Sequence, residues 1–174
     1  RAVLYKFDCN TMNIVKRGKM KTLVAFYSKN GHTRIIGEKL AKLFKADSEE
    51  IVDLRDRSDI FTWTKSAFNE ELKTPTEIAP TKKNPQNYDL VIVGTPIWDG
   101  ITPPVKAYLS ENKFKNVAFF ATFGAAAEDA FYEMEQLAKK KPLSVLEVQD
   151  MQISRKEDEP RINDFEKEII GKMK

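Results

Sequence analysis

Three nearly continuous apolar runs constrain the fold of this chain most strongly, and they occupy residues 23–27, 90–94 and 117–122. Parallel strands that are covered by helices on both faces have this composition, whereas strands with one exposed face alternate between apolar and polar residues. Two weaker runs, residues 50–54 and 143–148, predict further strands near the edges of the same sheet. The pattern therefore predicts an α/β fold, a doubly wound sheet of five parallel strands with helices on both faces.

Helix signals lie between these strands. They occur at residues 35–44, at residues 60–72, after Thr102 and its two following prolines, after Glu128 and Asp129, and after Pro160. Apolar residues at helical spacing, prolines at the first helical position and acids in the first turn account for these assignments. The aromatic residues of the segment 60–72 could instead cover a ligand or contact another subunit.

Composition excludes several classes of function. A chain of 174 residues is one domain by the usual size prior, and its single cysteine excludes an internal disulfide, which fits a reducing, cytoplasmic location. The net charge of +3, from 29 basic and 26 acidic residues, does not favour nucleic acid binding. The longest apolar run, residues 117–127, is too short to cross a membrane. The spacing of the acidic residues predicts no metal site.

The carboxyl ends of the strands are the expected ligand site in a sheet of this class, so the loops after residues 27, 94 and 122 are the candidates. The first loop has the sequence S-K-N-G-H-T at residues 28–33. A phosphate monoester needs many short donors at once, and a tight turn with hydroxyls such as those of Ser28 and Thr33 at a helix N-terminus supplies them. Gly31 lets the backbone fold closely around a ligand. The loop therefore predicts a phosphate-binding turn.

Other phosphate motifs are absent from the sequence. Neither G-x-G-x-x-G nor G-x-x-x-x-G-K-[ST] occurs. Ser28 and Arg34 have the spacing of a tyrosine phosphatase loop, but the only cysteine is Cys9, outside it. A polar turn with a capping hydroxyl remains the alternative for this loop. The only histidine, His32, lacks a carboxylate in its own loop, so we expect it to face phosphate or to position the backbone rather than to act as a catalytic acid.

The second loop contains Trp98, and a tryptophan at a strand end is costly unless its ring covers something flat and apolar. Packing of Trp98 on the next helix is the alternative. In the same loop, Asp99 and Gly100 are suited to a backbone that changes conformation. The third loop, residues 123–127, is small and uncharged, so a broad ring could lie close to its backbone, although simple packing explains it nearly as well.

From about Met20 to the C-terminus the chain resembles the flavodoxin family. The resemblance rests on S-K-N-G-H-T after the first strand, Y-D-L-V-I-V-G-T-P-I-W-D-G at the third strand, and V-A-F-F-A-T-F-G at the fourth. It implies a flavodoxin-like sheet with the strand order 2-1-3-4-5 and FMN as cofactor. It also implies that the first loop holds the FMN phosphate and the next two loops hold the isoalloxazine ring.

The resemblance assigns residues of this sequence to the cofactor by position. The phosphate would contact Ser28, Asn30, Gly31, His32 and Thr33. One side of the flavin would be lined by Thr95, Pro96, Ile97, Trp98, Asp99 and Gly100, and the other side by Thr122, Phe123 and Gly124.

The chain departs from the family pattern in three respects. Many flavodoxins offer a second stacking tyrosine in the third loop, where this chain offers only Phe123. Typical electron-carrier flavodoxins are strongly acidic, whereas this chain is slightly basic. Residues 1–19 have no counterpart in the family, so we expect an N-terminal extension or a short hairpin before a flavodoxin-like domain of residues 20–174.

The resemblance leaves the role of the protein open between three classes. The first is an electron carrier that shuttles electrons between redox partner proteins. The second is an FMN-dependent NAD(P)H or quinone reductase of the same fold, which needs room over the ring and usually a dimer. The third keeps the fold without flavin, as a phosphate-binding or interaction module. We expect the carrier, as a monomer or homodimer.

Overall fold

The computed structural model describes residues 20–55, 76–98, 100–125 and 129–174. Several sequence predictions lie outside these ranges. They are the extension of residues 1–19, the helix of residues 60–72, the ring contact of Asp99 and the helix start at Glu128.

The described chain alternates between strands and helices. In chain order the elements are β1 (Thr22–Phe26), α1 (His32–Phe44), β2 (Asp47–Glu50), β3 (Leu90–Ile97), α2 (Pro103–Glu111), β4 (Val117–Phe123), α3 (Ala130–Ala138), β5 (Val145–Gln149), α4 (Asp150–Arg155) and α5 (Glu159–Lys172). The three strong apolar runs are the three central strands β1, β3 and β4. Within the described ranges, no helix is both long enough and apolar enough to cross a membrane.

The five strands form one parallel sheet with the order β2-β1-β3-β4-β5. This confirms the predicted doubly wound sheet and its strand order. The chain passes from β1 outward to β2 and then returns to β3 on the other side of β1, so the direction of winding reverses between β1 and β3. The loops that follow these two strands diverge there and leave a crevice at the carboxyl ends of the strands.

Two apolar cores cover the two faces of the sheet, because successive side chains of a strand point to opposite faces. In β1, Leu23 and Ala25 belong to one core, and Val24 and Phe26 belong to the other. Helices α2 and α3 close the first core with Val105, Tyr108, Leu109 and Met134. Helices α1 and α5 close the second core with Ile36, Leu40, Ile162, Phe165 and Ile169. Each fully buried aliphatic side chain stabilises the fold by about 1.5–3 kcal/mol.

The second strand differs from its prediction. The apolar run 50–54 was expected to form it, but β2 is the polar segment Asp47–Glu50, so the predicted bounds were wrong. β2 lies at the edge of the sheet, where backbone pairing with β1 fixes its position and its side chains are exposed or half-buried. An edge strand of this kind carries little apolar signal, and a search for apolar runs misses it. The short helix α4 was not predicted either.

Candidate functional site

A cavity of about 780 Å³ lies at the carboxyl ends of β1, β3 and β4, and we call it the strand-end cavity. Ligand pockets usually measure about 300–1,000 Å³. Its lining is Lys29, Asn30, His32, Thr33, Pro96, Ile97, Trp98, Gly100, Thr122, Gly124, Ala125, Asp129, Ala130, Tyr132, Glu133 and Asp150. The three loops chosen from the sequence therefore meet at one site.

The loop between β1 and α1 is built around the hydroxyl of Ser28. Its Oγ accepts hydrogen bonds from the backbone N–H groups of Gly31 and Arg34, each at 3.2 Å. Gly31 precedes the helix with φ of 92°, in the left-handed region that favours glycine. The other N–H groups of the first helical turn have no acceptor within the helix itself. The turn therefore combines an anion-attracting helix end with a hydroxyl that can still donate its own proton.

The floor of the cavity contains a pair of threonines. Thr33 Oγ1 and Thr122 Oγ1 lie 2.8 Å apart, and both residues are buried. Because each hydroxyl needs a partner when it is buried, this hydrogen bond satisfies both groups and ties α1 to β4. Thr33 was predicted to contact phosphate, and the structure places its hydroxyl beside Thr122 at the lining of the cavity.

His32 has a carboxylate partner that the sequence did not reveal. His32 Nδ1 lies 3.0 Å from Asp150 Oδ1, and the two side chains are 37% and 40% exposed. Asp150 is the first residue of α4, which begins directly after β5. The side chains of Gln149 and Gln152 form a capping box that fixes this helix start. The position of Asp150 immediately after a strand run is the one sequence signal that could have marked it for this site.

The loop after β3 makes a tight turn at Gly100. The N–H of Trp98 donates to the carbonyl of Gly100 at 3.3 Å, and Gly100 has φ of 119°. The half-buried ring of Trp98 meets Tyr27 edge to face, with 6.4 Å between the ring centroids. Thr95 lies in β3 before this turn, and its hydroxyl is 3.1 Å from that of Thr102. Trp98 thus both packs on the core and lines the cavity.

The described part of the loop after β4 presents little side chain to the cavity. Gly124 and Ala125 are exposed there, whereas Phe123 is only 8% exposed and belongs to the core. The exposed aromatic ring on this side is that of Tyr132 in α3, which is 68% exposed and lines the cavity. The sequence offered only Phe123 as a second aromatic residue in this loop. Tyr132 was not predicted because it lies inside the following helix.

The charges around the cavity are mixed. Lys29 and His32 come from the first loop and α1, and the carboxylates of Asp129, Glu133 and Asp150 come from the segments that follow β4 and β5. Glu133 is paired with Lys106 of α2 at 2.8 Å. Within the described residues, no group of three or more His, Cys, Asp or Glu side chains could hold a metal ion.

The predicted site residues that the structure describes, which exclude Asp99, divide into two sets. Those that line the cavity are Asn30, His32, Thr33, Pro96, Ile97, Trp98, Gly100, Thr122 and Gly124. Those that do not line the cavity, but form hydrogen bonds or core contacts next to it, are Ser28, Gly31, Thr95 and Phe123. The lining residues that the sequence did not assign are Lys29, Ala125, Asp129, Ala130, Tyr132, Glu133 and Asp150. Most of these lie on elements that follow β4 and β5, where the chain carries no phosphate-like motif.

Comparison with known families gives a match over most of the chain. A family model described as Flavodoxin matches residues 21–164. No curated protein sequence matches the chain.

Comparison with solved structures gives the same fold. A flavoprotein in complex with FMN from Lactobacillus acidophilus NCFM is 22% identical, with a TM-score of 0.63 over 78% of this chain and 97% of that chain. A candidate flavoprotein from Bacteroides eggerthii DSM 20697 is 24% identical, with a TM-score of 0.62 over 78% of this chain and 94% of that chain. One from Bacteroides uniformis ATCC 8492 is 21% identical, with a TM-score of 0.59 over 78% of this chain and 96% of that chain. At these identities the likeness establishes the shared fold.

Proposed function

Because the chain belongs to the flavodoxin family, we propose that it binds FMN in the strand-end cavity and transfers electrons between redox partner proteins. One observation carries this proposal. The turn around Ser28 and the ring of Trp98 come from different strand ends, and the structure brings the anion-attracting helix N-terminus and the aromatic side chain to one cavity.

The residues of the first loop fit the phosphate of FMN. A phosphate monoester carries only acceptors and negative charge near neutral pH, so it needs donors and positive potential. The N-terminus of α1 and the side chains of Lys29 and Asn30 offer both, and the hydroxyl of Ser28 holds the turn that carries them. Gly31 has no atom within 4 Å of the position that a Cβ would take, so the turn is open on that side.

The second and third loops fit a flat ring system. Pro96, Ile97 and Trp98 present apolar surface on one side of the cavity. Gly124 and Ala125 present almost no side chain on the other side. A broad ring can therefore approach the backbone of the third loop while an indole covers its opposite face. Bound FMN would supply a redox centre that accepts and releases electrons, and the protein would position it and exclude water from one face.

Turnover assays distinguish a carrier from a reductase. The protein should be loaded with FMN, reduced with dithionite, freed of excess reductant and mixed with cytochrome c as a one-electron acceptor. The same preparation should be assayed with NADH and NADPH plus a small quinone. We expect reduction of cytochrome c without saturable NAD(P)H oxidation. Sustained NAD(P)H turnover at about 1–10³ per second would replace the carrier with the reductase. Free FMN at equal concentration is the control, and light scattering of the sample distinguishes monomer from homodimer.

A further inference from the structure

We infer that His32 recognises the phosphate dianion of FMN only when its imidazole is protonated, and that Asp150 is the positioning residue that aims it. This inference rests on the proposed FMN site and adds a proton-linked selectivity for phosphorylated flavin. Its basis is the pair formed by His32 Nδ1 and Asp150 Oδ1 at 3.0 Å beside the cavity.

The chemistry of the pair decides which ring nitrogen faces a ligand. A carboxylate accepts hydrogen bonds, so we assign the proton of the neutral ring to Nδ1, which lies 3.0 Å from Asp150 Oδ1. Nε2 is then the nitrogen that remains for the cavity, and in a neutral ring it carries only a lone pair. The dianion of a phosphate monoester also offers only lone pairs. The dianion and the ring can form a hydrogen bond only if His32 takes up a second proton, so binding of the dianion through this ring takes up one proton.

Asp150 is well placed to hold the ring in this orientation. It begins α4, and the capping box of Gln149 and Gln152 fixes the backbone at that point. Its second oxygen, Oδ2, lies 4.0 Å from the position that a Cβ on Gly124 would take. The carboxylate therefore lies between His32, which follows the first loop, and Gly124 of the third loop.

Other charged groups near the imidazole do not provide the same contact. Lys29 belongs to the same loop, and Asp129, Tyr132 and Glu133 face the cavity from the α3 side. Glu133 is paired with Lys106 at 2.8 Å. On α1 itself, Arg34 is paired with Glu50 of β2 at 2.7 Å. Among the described residues, the carboxylate that contacts the imidazole is that of Asp150.

The experiment compares FMN with riboflavin, which has the same ring and lacks the phosphate. Dissociation constants should be measured by flavin fluorescence for the wild-type chain and for His32→Gln, Asp150→Asn and Asp129→Asn, between about pH 5.5 and pH 9 at constant ionic strength. His32→Gln keeps a neutral polar side chain. Asp129→Asn removes a carboxylate from the same cavity without removing the partner of His32. The free phosphate monoester itself ionises near pH 6. This change is common to all four proteins and cancels in the ratios of their dissociation constants.

We expect the FMN affinity of wild type to exceed that of His32→Gln by about tenfold or more near pH 6 and to approach it near pH 9. Asp150→Asn should lose most of this pH-dependent advantage, and Asp129→Asn should retain it. Riboflavin should bind all four proteins with no comparable trend. A ratio of wild type to His32→Gln that does not change with pH, or an equal change for riboflavin, would overturn the inference while leaving FMN binding intact. Absence of binding by either flavin would instead overturn the proposed function and this inference with it.

A second readout covers the case in which a variant does not fold. The chain contains one histidine, so its imidazole proton signals in NMR report on His32 without mutation. At about pH 6, addition of FMN to the wild-type protein should move these signals towards the chemical shifts of a protonated imidazole, whereas riboflavin should leave them in place. Imidazole signals that FMN does not move would contradict the inference.

Discussion

Thr33 in α1 and Thr122 in β4 share a hydrogen bond of 2.8 Å between two buried hydroxyl groups, although the residues are 89 positions apart in the chain. The bond joins the helix that follows the first strand to the strand that borders the third loop. It therefore fixes the spacing between the proposed phosphate turn and the proposed ring site.

Replacement of both threonines should cost less than the sum of the two single replacements. Thr33→Val keeps the side-chain shape but leaves the hydroxyl of Thr122 buried without its partner, which should lower the free energy of unfolding by about 1–3 kcal/mol. The double variant with Thr122→Val should be more stable than the sum of the single losses implies. Urea unfolding of the four proteins gives the coupling energy. Strict additivity would show that the two hydroxyls do not act as a pair.

Gly31→Ala tests whether the first turn needs the left-handed backbone. A Cβ at Gly31 would meet no atom within 4 Å, so any loss must come from its φ of 92°. We expect a loss of about 1–2 kcal/mol in unfolding free energy. Gly171→Ala is the matched control, because it also has open space but lies in α5 without a positive φ, and it should be neutral or gain up to about 1 kcal/mol. If both variants gained stability in urea unfolding, the turn geometry would be wrong.

Two glutamates of α5 should give opposite pH effects on stability. The hydrogen bonds from Lys172 and then Ser144 lower the pKa of Glu168, so its contribution is present above the ordinary carboxyl pKa and is lost as pH falls. Burial raises the pKa of Glu166, so its contribution is larger at low pH and is lost as pH rises through its folded pKa. Both differences should be small because solvent screens these side chains.

The measurement compares urea midpoints of Glu168→Gln and Glu166→Gln with the wild type between about pH 7 and pH 3. The stability advantage of wild type over Glu168→Gln should shrink towards low pH, and its advantage over Glu166→Gln should grow. Parallel trends for both variants would contradict the stated causes.

Trp98→Ala should restore the fluorescence of bound flavin. If the indole covers the ring in the strand-end cavity, the wild-type protein quenches FMN emission, and the variant should bind more weakly by about 0.5–1.5 kcal/mol while emitting more light. Trp98→Phe should retain part of both effects because it keeps an aromatic ring at that site. Equal quenching and affinity in all three proteins would leave Trp98 with its observed edge contact to Tyr27 and no ligand role.

The sequence predicted the parts of the fold that burial marks most clearly. The central strands β1, β3 and β4 are apolar on both faces because helices cover both, and that composition is visible without a structure. The turn at residues 28–33 was visible because its residue types suit a helix N-terminus. The edge strand β2 was misplaced because its sequence, D-S-E-E, gains its position from backbone pairing and not from burial.

The parts of the site that could not be predicted depend on contacts between distant segments. Nothing in the sequence near His32 indicates Asp150, because β5 and α4 must first pack beside α1 before the two side chains meet. Tyr132 was missed for a related reason. α3 begins at Ala130, as the acidic residues before it predicted, but which of its side chains border the cavity depends on how the helix packs on the sheet.

Titration of the wild-type protein with FMN and with riboflavin, followed by flavin fluorescence, tests the central claim most directly. The account predicts one FMN per chain and an affinity for FMN that exceeds the affinity for riboflavin by about thirtyfold, since about 2 kcal/mol is expected from charge-assisted hydrogen bonds to the phosphate. Binding of neither flavin, or equal binding of both, would contradict the assignment of the strand-end cavity as an FMN site.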